Sequence, residues 1–218
     1  RRRARRVRRD VGEQIRVLAT GRLLLVYAMT ALGYGGTFVA FTFLAPILEQ
    51  VTGFASSAVG LILMLYGVAI AVGNVVGGRI SNRDPVKALT FLFIAQALVL
   101  VLFGFTAVSP WLTIPTLAIL GFLSFANVPG LQLYVVQLAR QLQPNAVDVA
   151  SALNIAAFNL GIAMGAWIGG LVVESRFGLG ATPFVAAALV TVALGLTIRS
   201  GALDRRSIPN AAAACSAA

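Results

Sequence analysis

The sequence contains no histidine and a single cysteine, Cys215. Without histidine there can be no HExxH zinc site, no Ser–His relay and no bis-histidine haem. One cysteine provides neither a disulfide within the chain nor a multi-cysteine metal site. It stands in a terminal CSAA, where Ser216 departs from the aliphatic pattern of a prenylation box. Charge is scarce too: 11% of the 218 residues are Asp, Glu, Lys or Arg, against roughly a quarter in soluble domains. There is no GxxxxGK[ST] phosphate loop and no polar stretch long enough for a nucleotide-binding domain, which excludes ATP-driven transport by this chain alone.

What fills the chain instead is apolar, at 59% of residues. Six runs, Leu23–Leu48, Ala58–Gly78, Ala88–Val108, Trp111–Leu138, Val149–Val173 and Ala181–Ile198, contain no charged side chain. Each reaches the ~18–25 residues that cross about 30 Å of hydrocarbon as helix. The reading is an all-α membrane protein of six transmembrane helices. It assigns 1–22 to an Arg-rich cytoplasmic leader between bundles, 23–199 to the transmembrane bundle and 200–218 to a disordered cytoplasmic tail. With no carboxylate inside a run, intramembrane hydrolysis by paired aspartates has no residues to use, so the chain is read as neither an enzyme nor the holder of a cofactor or metal. The first Met is Met29, inside span one, so the sequence is read as the later part of something longer.

The net charge of +10 would point to nucleic acid in a soluble protein. Its distribution points to membrane topology instead. Nine arginines precede span one, Arg79, Arg83 and Lys87 lie between spans two and three, Arg140 between four and five, and Arg199, Arg205 and Arg206 follow span six. The opposite connections carry Glu49, no charge at all, and Glu174 with Arg176. The positive-inside bias therefore puts both termini in the cytoplasm, with the lipid bilayer as the chain's partner and nucleic acid excluded.

Spans two and five repeat one another. YGVAIAVGNVVGG (Tyr66–Gly78) aligns with FNLGIAMGAWIGG (Phe158–Gly170), pairing Gly73 with Gly165, Gly77 with Gly169 and Gly78 with Gly170. Spans one and four echo each other in LGY (Leu32–Tyr34) and LGF (Leu120–Phe122). An offset of three spans makes matched helices run in opposite directions, the pattern of a 3+3 inverted repeat. Gly73 with Gly77, and Gly161 with Gly165 and Gly169, are spaced for close helix packing. Gly33, Gly35, Gly36 and Pro46 in span one, and Pro115, Pro129 and Gly130 in span four, mark the two spans expected to bend.

Polar residues concentrate in spans one, two, four and five, the expected walls of an uncharged path. Tyr27, Thr30, Tyr34, Thr37 and Phe41 share one face of span one. Tyr66, Asn127, Gln132, Asn154, Phe158 and Asn159 complete the candidate solute pathway, although each Asn or Gln is equally suited to an interhelical hydrogen bond. Spans three and six, almost wholly apolar except for Gln96, are expected to be lipid-facing supports.

The loop GGRISNRDPVKAL (Gly77–Leu89) resembles the second-half copy of the major facilitator superfamily loop motif, roughly G-x-L-x-D-R-x-G-R-R. Gly78, Arg83 and Lys87 match it, Asn82 occupies its acidic position and Pro85 its second glycine; with Arg79 these form the candidate gating loop. LGYGGTFVAFTFLAPILEQVTGF (Leu32–Phe54) and ASALNIAAFNLGIAMGAWIGG (Ala150–Gly170) are similar to spans seven and eleven of the arabinose-efflux-permease-like and drug:proton antiporter branch. The resemblance covers Ile15–Leu203. It implies the second six-helix bundle of a twelve-helix bacterial inner-membrane transporter, whose partner is a missing N-terminal bundle. The implied function is proton-coupled efflux of a small organic solute, a sugar or drug, by alternating access, with the proton carried by the missing half. The readings weighed against it are a half-transporter remnant without flux, a membrane assembly subunit, and a six-helix unit that homodimerises.

Overall fold

A computed structural model describes the backbone of residues 20–216 and the side chains of residues 20–205. The leader over 1–19 and Cys215 as a side chain lie outside the described residues. Helix α1 covers Gly21–Phe41 and is prolonged by a short turn, Leu44–Pro46, and a π turn, Ile47–Val51. Then follow α2 (Ser56–Ser81), α3 (Pro85–Thr106), α4 (Pro110–Leu142), α5 (Val147–Glu174) and α6 (Thr182–Ser216), with 3-10 turns at Pro144–Ala146 and Leu179–Ala181. All six helices are long and apolar enough to cross a membrane. Crossing an even number of times leaves both ends of the described chain on one side, together with Arg22, Arg83, Lys87, Arg140, Arg199 and Arg205. We call this the basic end.

Local chemistry sets the helix starts. Asp84 precedes α3 in extended backbone and its carboxylate accepts the Lys87 amide at 3.1 Å, while Pro85 occupies the first helical position, where no N–H is needed. Pro110 starts α4 in the same way. Gly53, with φ of 84°, closes the turn between α1 and α2 in a conformation that side chains resist.

Span one, one of the two spans expected to bend, is interrupted. Span one stays α-helical through Gly33, Gly35 and Gly36 and is interrupted at Thr42–Phe43, four and three residues before Pro46, whose ring clashes with the carbonyl four residues earlier. Span four remains a single helix through Pro115 and Pro129. After the interruption in span one, Thr52 Oγ1 donates to the Ala107 carbonyl at 2.6 Å and fastens this end to the end of α3.

The packing carries an approximate twofold. Helix α1 packs on α5 as α2 packs on α4, α1 meets α6 as α4 meets α3, and α3 meets α6 across the axis. Replacing each helix by the one three positions on exchanges these contacts in pairs and leaves the α3–α6 contact unchanged. Glycine makes the equivalent crossings close: a Cβ on Gly73 or Gly77 would run into the carbonyls of Phe122 and Ala126 on α4. A Cβ on Gly161, Gly165 or Gly169 would run into the carbonyls of Ala31, Gly35 and Val39 on α1. The 3+3 inverted repeat is thus built into the tertiary structure.

Burial departs from expectation for α3 and α6. Composition predicts that they face lipid, yet each presents one fully buried face: Leu89, Phe93, Gln96 and Phe103 on α3, and Ala186, Val190, Ala193 and Thr197 on α6. The most exposed span is α2, with 22% of its apolar window buried against 72% for span one. Leucine and valine serve equally against protein and against lipid, so hydropathy alone does not separate the two. At the basic end, α6 also runs beyond the expected boundary at 199, because Ser200 and Asp204 are tied to α4 and α1; residues 200–205 are therefore part of the bundle rather than of a disordered tail.

Candidate functional site

Two hydrogen-bonded chains cross the bundle. In the first, Thr30 Oγ1 on α1 donates to Asn154 Oδ1 on α5 at 2.7 Å, Asn154 Nδ2 donates to Gln132 Oε1 on α4 at 2.9 Å, and Gln132 Nε2 donates to Ser151 Oγ. In the second, Asn127 Nδ2 on α4 donates to Gln96 Oε1 on α3 at 2.9 Å, and Gln96 Nε2 donates to Thr37 Oγ1 on α1 at 2.7 Å. Thr30, Gln96, Asn127 and Asn154 are wholly buried, so these amides tie helices together inside the bundle. Gln132 and Ser151, at the far end of the first chain, are only half-buried.

An aromatic surface lies beside them. Tyr34 is its hub, with ring centroids 5.1 Å from Phe38, 5.5 Å from Phe125 and 4.9 Å from Phe158, the last two edge-on. The row continues from Phe38 to Phe41 at 5.3 Å and from Phe41 to Tyr66, stacked, at 5.6 Å. Such pairs add about 0.5–1.5 kcal/mol each beyond their buried area. Tyr34 and Tyr66 are buried behind the half-exposed Phe38, Phe41, Phe125 and Phe158, and Tyr66 donates to Ser124 Oγ on α4 at 3.3 Å. Spans one, two, four and five all contribute to this face.

The predicted pathway residues therefore separate into groups. Tyr34, Tyr66 and Phe158 come together in the aromatic surface, and Gln132 is bonded to Asn154 one helical turn before Phe158. Asn127 and Asn154 face inward. Asn159 is exposed and its amide donates only to the Ile155 carbonyl of its own helix, at 3.0 Å. Tyr27 is buried one turn from Thr30, away from the aromatic contacts, with no partner for its hydroxyl among the described residues. The sequence reading missed Phe38 and Phe125; the i,i+4 spacing of Tyr34 and Phe38 was the available signal for the first.

At the basic end the candidate loop is open. Arg79, Asn82, Arg83 and Lys87 are exposed, and Gly78 lies 3.6 Å from Pro129 by the position a Cβ would take. The carboxylate missing at Asn82 stands two residues on, as Asp84, which pairs with Lys87 Nζ at 3.0 Å. The Lys87 amide, followed by the Lys87 ammonium, holds the Asp84 carboxyl below its ordinary value. Across a cavity of about 470 Å³ from this loop lies a cluster with no signature in the sequence. Asp204 on α6 accepts from Tyr134 on α4 at 2.8 Å and pairs with Arg22 on α1, while Tyr134 and Ser200 share a 2.6 Å hydrogen bond. Its members lie at three separate helix ends, 182 residues apart at the extremes, so no spacing rule connects them.

A six-helix membrane bundle with an inverted repeat, crossed by uncharged polar chains and faced with aromatics, has the architecture of one half of a secondary transporter. The profile of the Major Facilitator Superfamily matches residues 2–147. The chain is 50% identical over 194 residues to "Uncharacterized MFS-type transporter YtbD" of Bacillus subtilis (strain 168), covering 89% of this chain and 49% of that protein. It is 30% identical over 193 residues to "Inner membrane transport protein YdhP" of Escherichia coli (strain K12), covering 88% and 49%. It is also 33% identical over 190 residues to the "Probable sugar efflux transporter" of Helicobacter acinonychis (strain Sheeba), covering 83% and 46%. The chain belongs to the Major Facilitator Superfamily, and it spans about half the length of the curated relatives it matches.

Proposed function

We propose that this chain is the C-terminal half of a proton-coupled exporter of a small organic solute, a sugar or a planar drug, working by alternating access in a bacterial inner membrane with both termini cytoplasmic. The observation that carries the reading is the aromatic surface of Phe38, Phe41, Phe125 and Phe158, backed by Tyr34 and Tyr66. Aromatic faces hold sugar rings and flat drugs without requiring charge, and half-exposed rings braced by buried tyrosines lose little freedom on binding. Gln132 and Ser151, half-buried and bonded to each other, supply amide and hydroxyl groups on the same two helices, α4 and α5, as Phe125 and Phe158. The likeness to a probable sugar efflux transporter supports a sugar among the candidates.

In this reading the first bundle supplies the proton-binding carboxylate, and the second supplies solute contact and gating. The Asp84–Lys87 pair and the Arg22–Asp204–Tyr134 cluster hold the basic end together when the path opens at the other end. The segment 1–22 is the link between the bundles.

The test is export followed as uptake of labelled sugars and a cationic dye into acid-interior, inside-out vesicles containing the protein expressed within its full reading frame, where proton exit drives solute entry. Export should collapse when a protonophore dissipates the gradient and should fall at least tenfold in Phe158→Ala. Flux that ignores the gradient would remove proton coupling from the proposal. Flux unchanged in Phe158→Ala would remove the aromatic surface from the pathway.

A further inference from the structure

We propose that the groove between α3 and α6 at the basic end is a seat for one anionic phospholipid, its phosphate held by Lys87 and Arg205. The groove has a volume of about 440 Å³ and is lined along its length by Val86, Phe91, Ile94 and Ile198, with Lys87 and Arg205 the only charged residues on it among those described. Lys87 and Ile94 are seven residues apart, as are Ile198 and Arg205. On a helix that separation is about 10 Å, so both walls pass from a cation at the bilayer surface to a bare aliphatic residue one layer deeper. A phospholipid has this same order, with an anionic phosphate above apolar chains.

Charge complementarity selects the anionic headgroup. Asp84 and Asp204 line an adjoining cavity that Lys87 and Arg205 also line, so the two cations stand between a carboxylate-lined cavity and the apolar groove. Asp204 is occupied by Arg22 and Tyr134. Lys87 gives Asp84 one contact at 3.0 Å, and an ammonium has three donors, so it can serve a phosphate oxygen as well. Phe91 and Ile198 are 64% and 54% exposed, which in a bilayer means that acyl chains cover them. Other exposed apolar stretches, such as Leu61, Met64 and Val68 on α2, have no cation beside them. The Lys87 and Arg205 pair therefore turns general solvation by lipid into a site for one.

The experiment is native mass spectrometry of the protein in mild detergent, titrated with dioleoyl phosphatidylglycerol, dioleoyl phosphatidylcholine and glycerol 3-phosphate. One phosphatidylglycerol per chain should be retained at least tenfold more tightly than phosphatidylcholine. Lys87→Gln or Arg205→Gln should weaken it about fivefold each and the double variant about thirtyfold, from the usual contribution of one basic residue at an anionic surface. Arg199→Gln, an exposed arginine outside the groove, should leave binding unchanged. All three positions are exposed, so these variants fold as the parent does. Equal retention of phosphatidylcholine, undiminished phosphatidylglycerol in the double variant, or glycerol 3-phosphate bound as tightly as the lipid would each overturn the proposal.

Discussion

Gly165 of α5 lies so close over the carbonyl of Gly35 on α1 that a Cβ on Gly165 would run into it and would have to displace the other helix. The pseudo-equivalent crossing, Gly73 over Phe122, has the same geometry on α2 and α4. These contacts set how near the paired helices stand, and the hydrogen-bonded chains and ring contacts around them depend on that spacing.

Gly165→Ala should therefore destabilise the bundle by about 1–3 kcal/mol, the usual cost of overpacking a filled interface. Gly170→Ala, five residues on where a Cβ meets nothing within 4 Å, should be neutral or slightly stabilising. Thermal unfolding in detergent, followed by the fluorescence of Trp111 and Trp167, tests the pair. Equal melting temperatures for the two variants would show that the crossing relaxes freely.

Gln96 joins α1 to α4 through Thr37 and Asn127. Gln96→Leu should cost about 1–3 kcal/mol, since it leaves the buried Asn127 amide without an acceptor. Adding Asn127→Leu should recover part of that loss, because the unpaired amide is then gone. A double variant no more stable than Gln96→Leu would mean that the Asn127 amide finds another partner.

Asn154 and Asn159 separate structural from pathway roles. Asn154→Ala should lower stability by roughly 1 kcal/mol through loss of its bonds to Thr30 and Gln132, at membrane hydrogen-bond magnitudes. Asn159→Ala should stay within about 0.5 kcal/mol, as exposed substitutions do. In the transport assay, Asn159→Ala should shift solute affinity without changing the amount of protein in the membrane. Unaltered affinity would place Asn159 outside the pathway.

Asp84 caps α3. Asp84→Ala should cost about 0.5–2 kcal/mol while Asp84→Asn, still able to accept the Lys87 amide, should cost much less. The partly exposed ion pair with Lys87 is screened by water and adds little to this. Because the folded carboxyl titrates below its ordinary 3.8, its contribution is fully present above that value and is lost as pH falls through the folded value. The stability gap between parent and Asp84→Ala should thus be constant from pH 7 to about 5 and narrow below about 4. A gap that widens on acidification would contradict the assignment.

Much of the architecture was legible because its causes are local. Six uncharged runs of membrane length define six helices wherever they pack, and the Gly73/Gly77 and Gly165/Gly169 match survives as equivalent crossings because only glycine lets two backbones approach so closely. Pro46 announced the break in span one. Pro115 and Pro129 lie inside α4, which continues as helix through both, since inside a long helix neighbours can compensate for a lost bond.

Direction was not legible. Asn154 and Asn159 are five residues apart, about 140° around the helix, so periodicity shows that they face different ways but not which one faces the bundle. That depends on where α1 and α4 lie relative to α5. Likewise Arg22, Tyr134, Ser200 and Asp204 look like unrelated residues of a leader, a span and a tail until three helix ends meet. The sequence by itself determined the membrane, the number of spans, the repeat and the family. Only the tertiary structure decided which polar groups tie helices together and which are left to meet a solute or a lipid, because an uncharged amide in a helix is suited to either until its neighbour is in place.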